Sequence, residues 1–278
     1  MRLLSPPTSN AKLDKTLRNT EFRSYSLVLA AARSAYDDLR RVMGNSLPKA
    51  WSACPDASAG CVFGCCVNNG GQGTMASVQR ARIDKTVFFM TRRAEFLQQL
   101  SDEIDKVHAK AQREGAQDYY RLGCNDSFGW WRFGIAQKHT TCSFYDYFPL
   151  IALYRSILEG RPLTDQIPEN MRICWSRKET NTEEQVRAVL NHGQNVAVVF
   201  HNGAEGQTGF CGRGAYKQAL PESYLGFPVI DGDESDIRFL DPQGGYVVGL
   251  RCKSRTQAQR DFMIRRNFSI NAEDPWIH

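Results

Sequence analysis

Met171-Arg-Ile-Cys-Trp-Ser176, Asn181-Thr-Glu-Glu-Gln-Val-Arg-Ala-Val-Leu-Asn-His-Gly193 and Asn195-Val-Ala-Val-Val-Phe200 follow one another with short connections. The first and last are strand-sized, and Asn195–Phe200 is apolar enough to be a strand buried on both faces. The middle segment opens with Glu183 and Glu184 where a helix carries its positive end, and Gly193 closes it. Strand, helix, strand in this order predicts a parallel pair joined by a crossover helix.

The same alternation extends upstream. Tyr119–Cys124 reads as a strand, Trp130–Gln137 as a short helix, Thr141–Tyr147 as a strand and Pro149–Leu158 as a helix. Before them, Met75 to Arg113 is the longest helical region, with Phe88, Phe96, Leu100, Ile104 and Val107 among its periodic apolar residues. Lys49 to Ala53 is a candidate first strand. The expected fold is α/β, a partial or complete (β/α) barrel of about six βα units with a cysteine loop after the first strand. Downstream, His201 to Leu220 holds Gly203, Gly206, Gly209, Gly212 and Gly214 and predicts a long loop. Phe227–Ile230, Ile237–Leu240 and Tyr246–Arg251 read as short strands. Three regions follow: an N-terminal arm and helix over 1–48, with Met1 to Thr20 extended; a barrel-like catalytic domain over 49–252; and an irregular basic tail over 253–278.

No run of about 18 apolar residues occurs, so no membrane span is expected. Met1 to Lys12 lacks the pattern of a secretory signal. The net charge of +5 over 278 residues permits a nucleic-acid partner without demanding one. Nine cysteines is an odd number, unevenly spread, which argues against a secreted disulfide framework and for a reducing cytoplasm.

Four of those cysteines lie in Cys54-Pro-Asp-Ala-Ser-Ala-Gly-Cys61-Val-Phe-Gly-Cys65-Cys66. Thiolates bind soft metals and iron–sulfur clusters. Cys54, Cys61 and Cys65 are the candidate metal ligands, and three ligands from one loop suit a cubane cluster with one open iron. Zinc, with Cys66 as a fourth ligand, and metal-free thiols are the alternatives. Cys124, Cys142 and Cys174 fall on expected strands and read as small core residues.

Leu4-Ser-Pro-Pro-Thr-Ser-Asn-Ala-Lys-Leu13, the cysteine loop, Ser77-Val-Gln-Arg-Ala-Arg-Ile-Asp-Lys-Thr86, Phe144-Tyr-Asp-Tyr147, Asn195–Phe200 and Pro228-Val-Ile-Asp-Gly-Asp233 with Arg238-Phe-Leu-Asp-Pro242 together resemble a family of tailed-phage proteins carrying a three-cysteine motif. That family looks like distant radical S-adenosylmethionine enzymes, which use a partial (β/α)6 barrel. The spacing here, Cys-x6-Cys-x3-Cys, departs from their usual Cys-x3-Cys-x2-Cys. The resemblance implies a 4Fe-4S cluster, S-adenosyl-L-methionine, an external electron donor and a phage-encoded enzyme in the host cytoplasm. It further implies an isomerase acting on a glycine-modified thymidine, in modified DNA or as a nucleotide.

Such a site belongs at the carboxyl ends of the strands. There Asp126 could bind the cofactor's ribose or amino group, or cap its loop. Arg177 could pair with the cofactor carboxylate, or lie at the surface. His201 could act as acid or base, or be structural. Asp146 reads as structural. Gly70 and Gly71 could cradle an amino group or phosphate, or form a connector. Trp130 and Trp131 suit a flipped base or a packed core. Arg251, Lys253, Arg255, Arg260, Arg265 and Arg266 could track phosphates or form a solvated tail. Two rival readings stand beside the radical enzyme: a barrel-fold base transglycosylase with structural zinc, and a zinc-stabilised DNA-binding protein.

Overall fold

A computed structural model describes residues 1–9, 11–65 and 71–275. The elements are β1 (Leu4–Ser5), α1 (Ala11–Thr20), β2 (Arg23–Leu27), α2 (Tyr36–Met43), α3 (Ala59–Phe63), α4 (Ala76–Thr91), α5 (Arg93–Arg113), β3 (Asp118–Arg121), α6 (Ile135–Lys138), β4 (Ser143–Pro149), α7 (Leu150–Leu158), β5 (Met171–Ser176), α8 (Glu183–Asn191), β6 (Val196–His201), β7 (Ser223–Tyr224), β8 (Phe227–Asp231), β9 (Val247–Arg251), α9 (Gln257–Arg265) and β10 (Ser269–Asn271). The fold is mixed α/β, with a mostly parallel sheet of ten strands that is not closed into a barrel. Closure is replaced by capping: β1 pairs antiparallel with β2, and β7 pairs antiparallel with β8. Two-residue antiparallel strands blunt the edges that a barrel would join.

The chain divides into two compact units. The first comprises Met1–Asp56, Gly71–Asp146 and Ile167–Arg172. Its strands run in the order β1-β2-β3-β4. Tyr25 is in register with Tyr120, and Tyr120 with Phe144, all in parallel pairs. Consecutive strands are therefore neighbours. The N-terminal stretch, expected as an extended arm, instead forms β1 and α1. Glu103 of α5 holds it by accepting from the N–H groups of Leu3 and Leu4 at 2.9–3.0 Å. Lys49 to Ala53 forms no strand; β2 is the first parallel strand and lies well upstream of the cysteines. The long helix expected over 75–113 is two helices, because Arg92 leaves helical geometry at φ −137°, ψ 58°. The bend lets Phe89 of α4 meet Phe96 of α5 at 5.2 Å and Trp130 at 5.3 Å between ring centres. Trp130 and Trp131 are 1% and 2% exposed, which settles them as core and leaves no face for a base.

The second unit comprises Ala57–Gly70, Tyr147–Gln166 and Ile173–His278. Its strand order is β5-β6-β9-β8-β7. β9 runs parallel along one edge of β6, from Val196 to Phe200. The other edge is shared: β5 pairs with Val196 and Ala197, and β10 with Val199 to His201. Cys174, Ala197 and Val248 form the buried centre of this sheet. α8 starts as its sequence dictates, with Thr182 and Gln185 exchanging a capping box. Ile237–Leu240, expected as a strand, is a single 3-10 turn over 238–240. The tail, expected to be irregular, folds as α9 and β10 because β6 offers it an unpaired edge.

Candidate functional site

In the first unit the carboxyl ends of β3 and β4 carry a buried acidic pair. Asp126 sits in the loop after β3. Its Oδ1 accepts from Trp130 Nε1 at 3.0 Å and from the Phe128 N–H at 3.2 Å. Its Oδ2 is buried with no hydrogen-bond partner. Burial, and then the nearby charge of Asp146, push the Asp126 carboxyl well above the ordinary aspartate range, against a weaker pull from Arg121. Asp146 lies on β4 with Oδ1 3.7 Å from Arg121 Nε. A Cβ on Gly123 would stand 2.2 Å from Asp146 Oδ2, so only glycine lets the loop pass this carboxylate. Asp126 thus holds its proton more tightly than an ordinary aspartate, by burial first and Asp146 second.

Cys54 is fastened to the same loop. Its Sγ donates to the carbonyl of Asn125 at 2.7 Å, and the Ser127 N–H donates to the Ala53 carbonyl at 2.9 Å. Asn125 Nδ2 in turn donates to the Leu29 carbonyl at 2.9 Å, leaving its own Oδ1 buried and unpartnered. Cys54 and Asp126, two residues singled out from sequence, thus share one neighbourhood.

The second unit holds Cys61, Cys65, Arg177 and His201. Cys61 lies in α3, whose N-terminus Ser58 caps by accepting from the Cys61 N–H at 3.1 Å. Glu179, just after β5, anchors that cap: it accepts from Ser58 Oγ at 2.5 Å and from the Gly60 N–H at 2.7 Å. Cys65 follows one helical turn after Cys61. Cys54, Cys61 and Cys65 are half-buried thiols that form no disulfide among the described residues. Each, in reduced form, is a soft donor of the type that iron–sulfur clusters and other thiophilic metals take.

Arg177 and His201 line one cavity of about 490 Å³ together with Asn181, Tyr224, Ser269 and Asp274. His201 ends β6, and its Nδ1 is buried without a partner. Burial and then Arg260 push the imidazole down to about 4, against a backbone bond with Ser269, so it is neutral at physiological pH. Arg177 is fully engaged on one side, donating to the carbonyls of Asn267 and Phe268 at 2.8 and 3.1 Å. Burial lowers its pKa. Gly70 lies outside the described residues, and Gly71 opens a 3-10 turn, Gly71–Thr74.

Two residues that organise this unit carry no sequence signal. Glu179 looks like any loop acid, and Arg260 like part of a basic tail. Arg260 is fully buried and donates to the carbonyls of Asn202, Gly203 and Ala204, which ties the start of the glycine-rich loop to α9. Arg251 pairs with Asp231 and Asp233, and Lys253 with Asp233, so these cations serve the fold internally.

The family model described as Gene product 88 matches residues 2–266. The chain belongs to the Gene product 88 family. This membership agrees with the phage-protein resemblance read from the cysteine loop and its companion motifs. No curated protein and no solved structure matches the chain. No helix among the described residues of this Gene product 88 protein is long and apolar enough to cross a membrane.

Proposed function

We propose that this Gene product 88 protein is a radical S-adenosylmethionine-type isomerase that rearranges an amino-acid-modified thymidine in phage DNA. Cys54, Cys61 and Cys65 are the ligands of a 4Fe-4S cluster in this reading. The observation that carries it is the bond from Cys54 Sγ to the Asn125 carbonyl, 2.7 Å long. It fastens the first cysteine of the motif beside buried Asp126, at the carboxyl end of a parallel strand. Consecutive strands that neighbour one another, as β2, β3 and β4 do, are also the order expected of a (β/α) half-barrel.

When bound, the cluster and S-adenosylmethionine supply the one-electron chemistry that removes an unactivated hydrogen atom. The chain's residues do the rest. Asp126 presents its unpartnered Oδ2 to the cofactor's hydroxyl or amino groups. His201, neutral with a bare Nδ1, exchanges a proton or accepts a hydrogen bond from a bound group. Arg177 supplies fixed positive charge for a carboxylate or phosphate.

Anaerobic purification with iron and sulfide reconstitution tests this. The expected product is a brown protein that cleaves S-adenosylmethionine reductively to 5′-deoxyadenosine. Normal iron content after Cys54→Ala, Cys61→Ala and Cys65→Ala would overturn it. A colourless zinc protein with base-exchange activity would favour a transglycosylase instead.

A further inference from the structure

We propose a second metal site, independent of the cysteine loop, formed by His108, Asp118 and Cys142 and suited to Zn²⁺. It lies at the opposite strand ends from Asp126. His108 projects from α5, Asp118 is the first residue of β3, and Cys142 immediately precedes β4. Their ligand atoms all lie within 4.8 Å of one another. His108 Nδ1 is 3.0 Å from both oxygens of Asp118. Two ligands on a tetrahedral zinc, each about 2.0–2.3 Å from it, stand roughly 3.3–3.7 Å apart. The side chains therefore need move only slightly to admit the ion.

The chemistry of the set agrees with the geometry. Imidazole, carboxylate and thiolate are the donor types zinc takes in three-ligand sites, with water as the fourth. On binding zinc the buried Cys142 thiol would release its proton to solvent, and the thiolate and the Asp118 carboxylate would then carry two negative charges that the divalent cation cancels.

The surroundings supply what a histidine ligand uses on its far side. His108 Nε2 is 3.0 Å from Gln112 Nε2 and 3.2 Å from Thr141 Oγ1. Without metal, Gln112 donates to Nε2 and the ring donates from Nδ1 to Asp118; with zinc on Nδ1 the ring proton would sit on Nε2, where Thr141 Oγ1 and the turned Gln112 amide oxygen can accept from it. Tyr120 donates its hydroxyl to Asp118 Oδ2 and fixes the carboxylate. Such a site would pin the end of α5 to the beginnings of β3 and β4.

The test uses the full chain in a C54S/C61S/C65S/C66S background, so that the loop cannot compete for metal. Zn²⁺ is titrated against a chromophoric chelator, and Co²⁺ is read by its visible spectrum. The expected result is one bound equivalent with a thiolate-to-cobalt charge-transfer band. Adding Cys142→Ser removes that band, and adding His108→Gln weakens Zn²⁺ binding by at least about tenfold. His108 is the most exposed of the three, so His108→Gln keeps the test valid if Cys142→Ser fails to fold. No Zn²⁺ bound by the background variant, or unchanged affinity in His108→Gln, would overturn the site. Iron content of the unsubstituted protein reports on the cluster separately, so either proposal can fail alone.

Discussion

The backbone N–H of Ala272 donates to the carbonyl of His201 at 2.8 Å. That bond ends the ladder by which β10 adopts the free half of β6, and it holds the histidine that closes β6 against the cavity wall. Ala272→Pro deletes the donor and strands a carbonyl on a buried strand, at a cost of about 1–3 kcal/mol. Ala272→Gly keeps the N–H and should cost less. Urea denaturation of the two variants decides it: equal midpoints would mean that β10 contributes nothing to the unit.

Gly60 and Phe268 approach so closely that a Cβ on the glycine would stand 2.7 Å from the phenylalanine side chain. Gly60→Ala therefore forces α3 away from the residue preceding β10. The expected loss is about 1–3 kcal/mol. Because Cys61 is the next residue, reconstituted iron content should fall with it. Retained stability with lost iron would locate the effect in the loop alone.

His201 is held neutral down to about 4, below its ordinary value of 6.5. Between these values the unfolded chain binds a proton that the folded chain refuses. Stability is therefore full above 6.5 and is lost as pH falls toward 4, by about 3 kcal/mol from this residue. His201→Gln should flatten that part of the stability profile. The imidazole resonances followed by NMR give the direct measurement, and titration at the ordinary value would refute the burial argument.

Asp126 runs the other way. Its folded value is raised above 3.8, so the folded chain holds a proton that the unfolded chain has released. Stability falls as pH rises through that window and is level above it. Asp126→Asn has no proton to lose. Its stability relative to the parent should increase with pH, while cofactor binding is lost if Asp126 contacts the cofactor. A constant difference across the range would mean the carboxyl is ionised in the fold.

Much of the architecture was legible because it is local. The capping residues of α8, the apolar run of β6 and the breaks at the glycines follow from short-range periodicity and backbone preference. Hence β5, α7, α8 and β6 stand within a residue or two of expectation. The elements that were missed share one cause. β1, α1, α9 and β10 are short or polar, and each is ordered by a partner remote in sequence: Glu103 for the N-terminus and β6 for β10. The division of α4 from α5 is likewise set by the aromatic cluster around Phe89.

The chain by itself determined an α/β protein with parallel strands joined by helices, three closely spaced thiols, and Asp126, Arg177 and His201 at strand ends, because element type and chain order are written in neighbouring residues. Tertiary structure alone decided that the sheet stays open, that Arg177 and His201 share a cavity, and that burial and Asp146 raise the proton affinity of Asp126. Closure, cavity walls and proton affinity depend on which distant groups exclude water from a side chain, and no short window of sequence contains them.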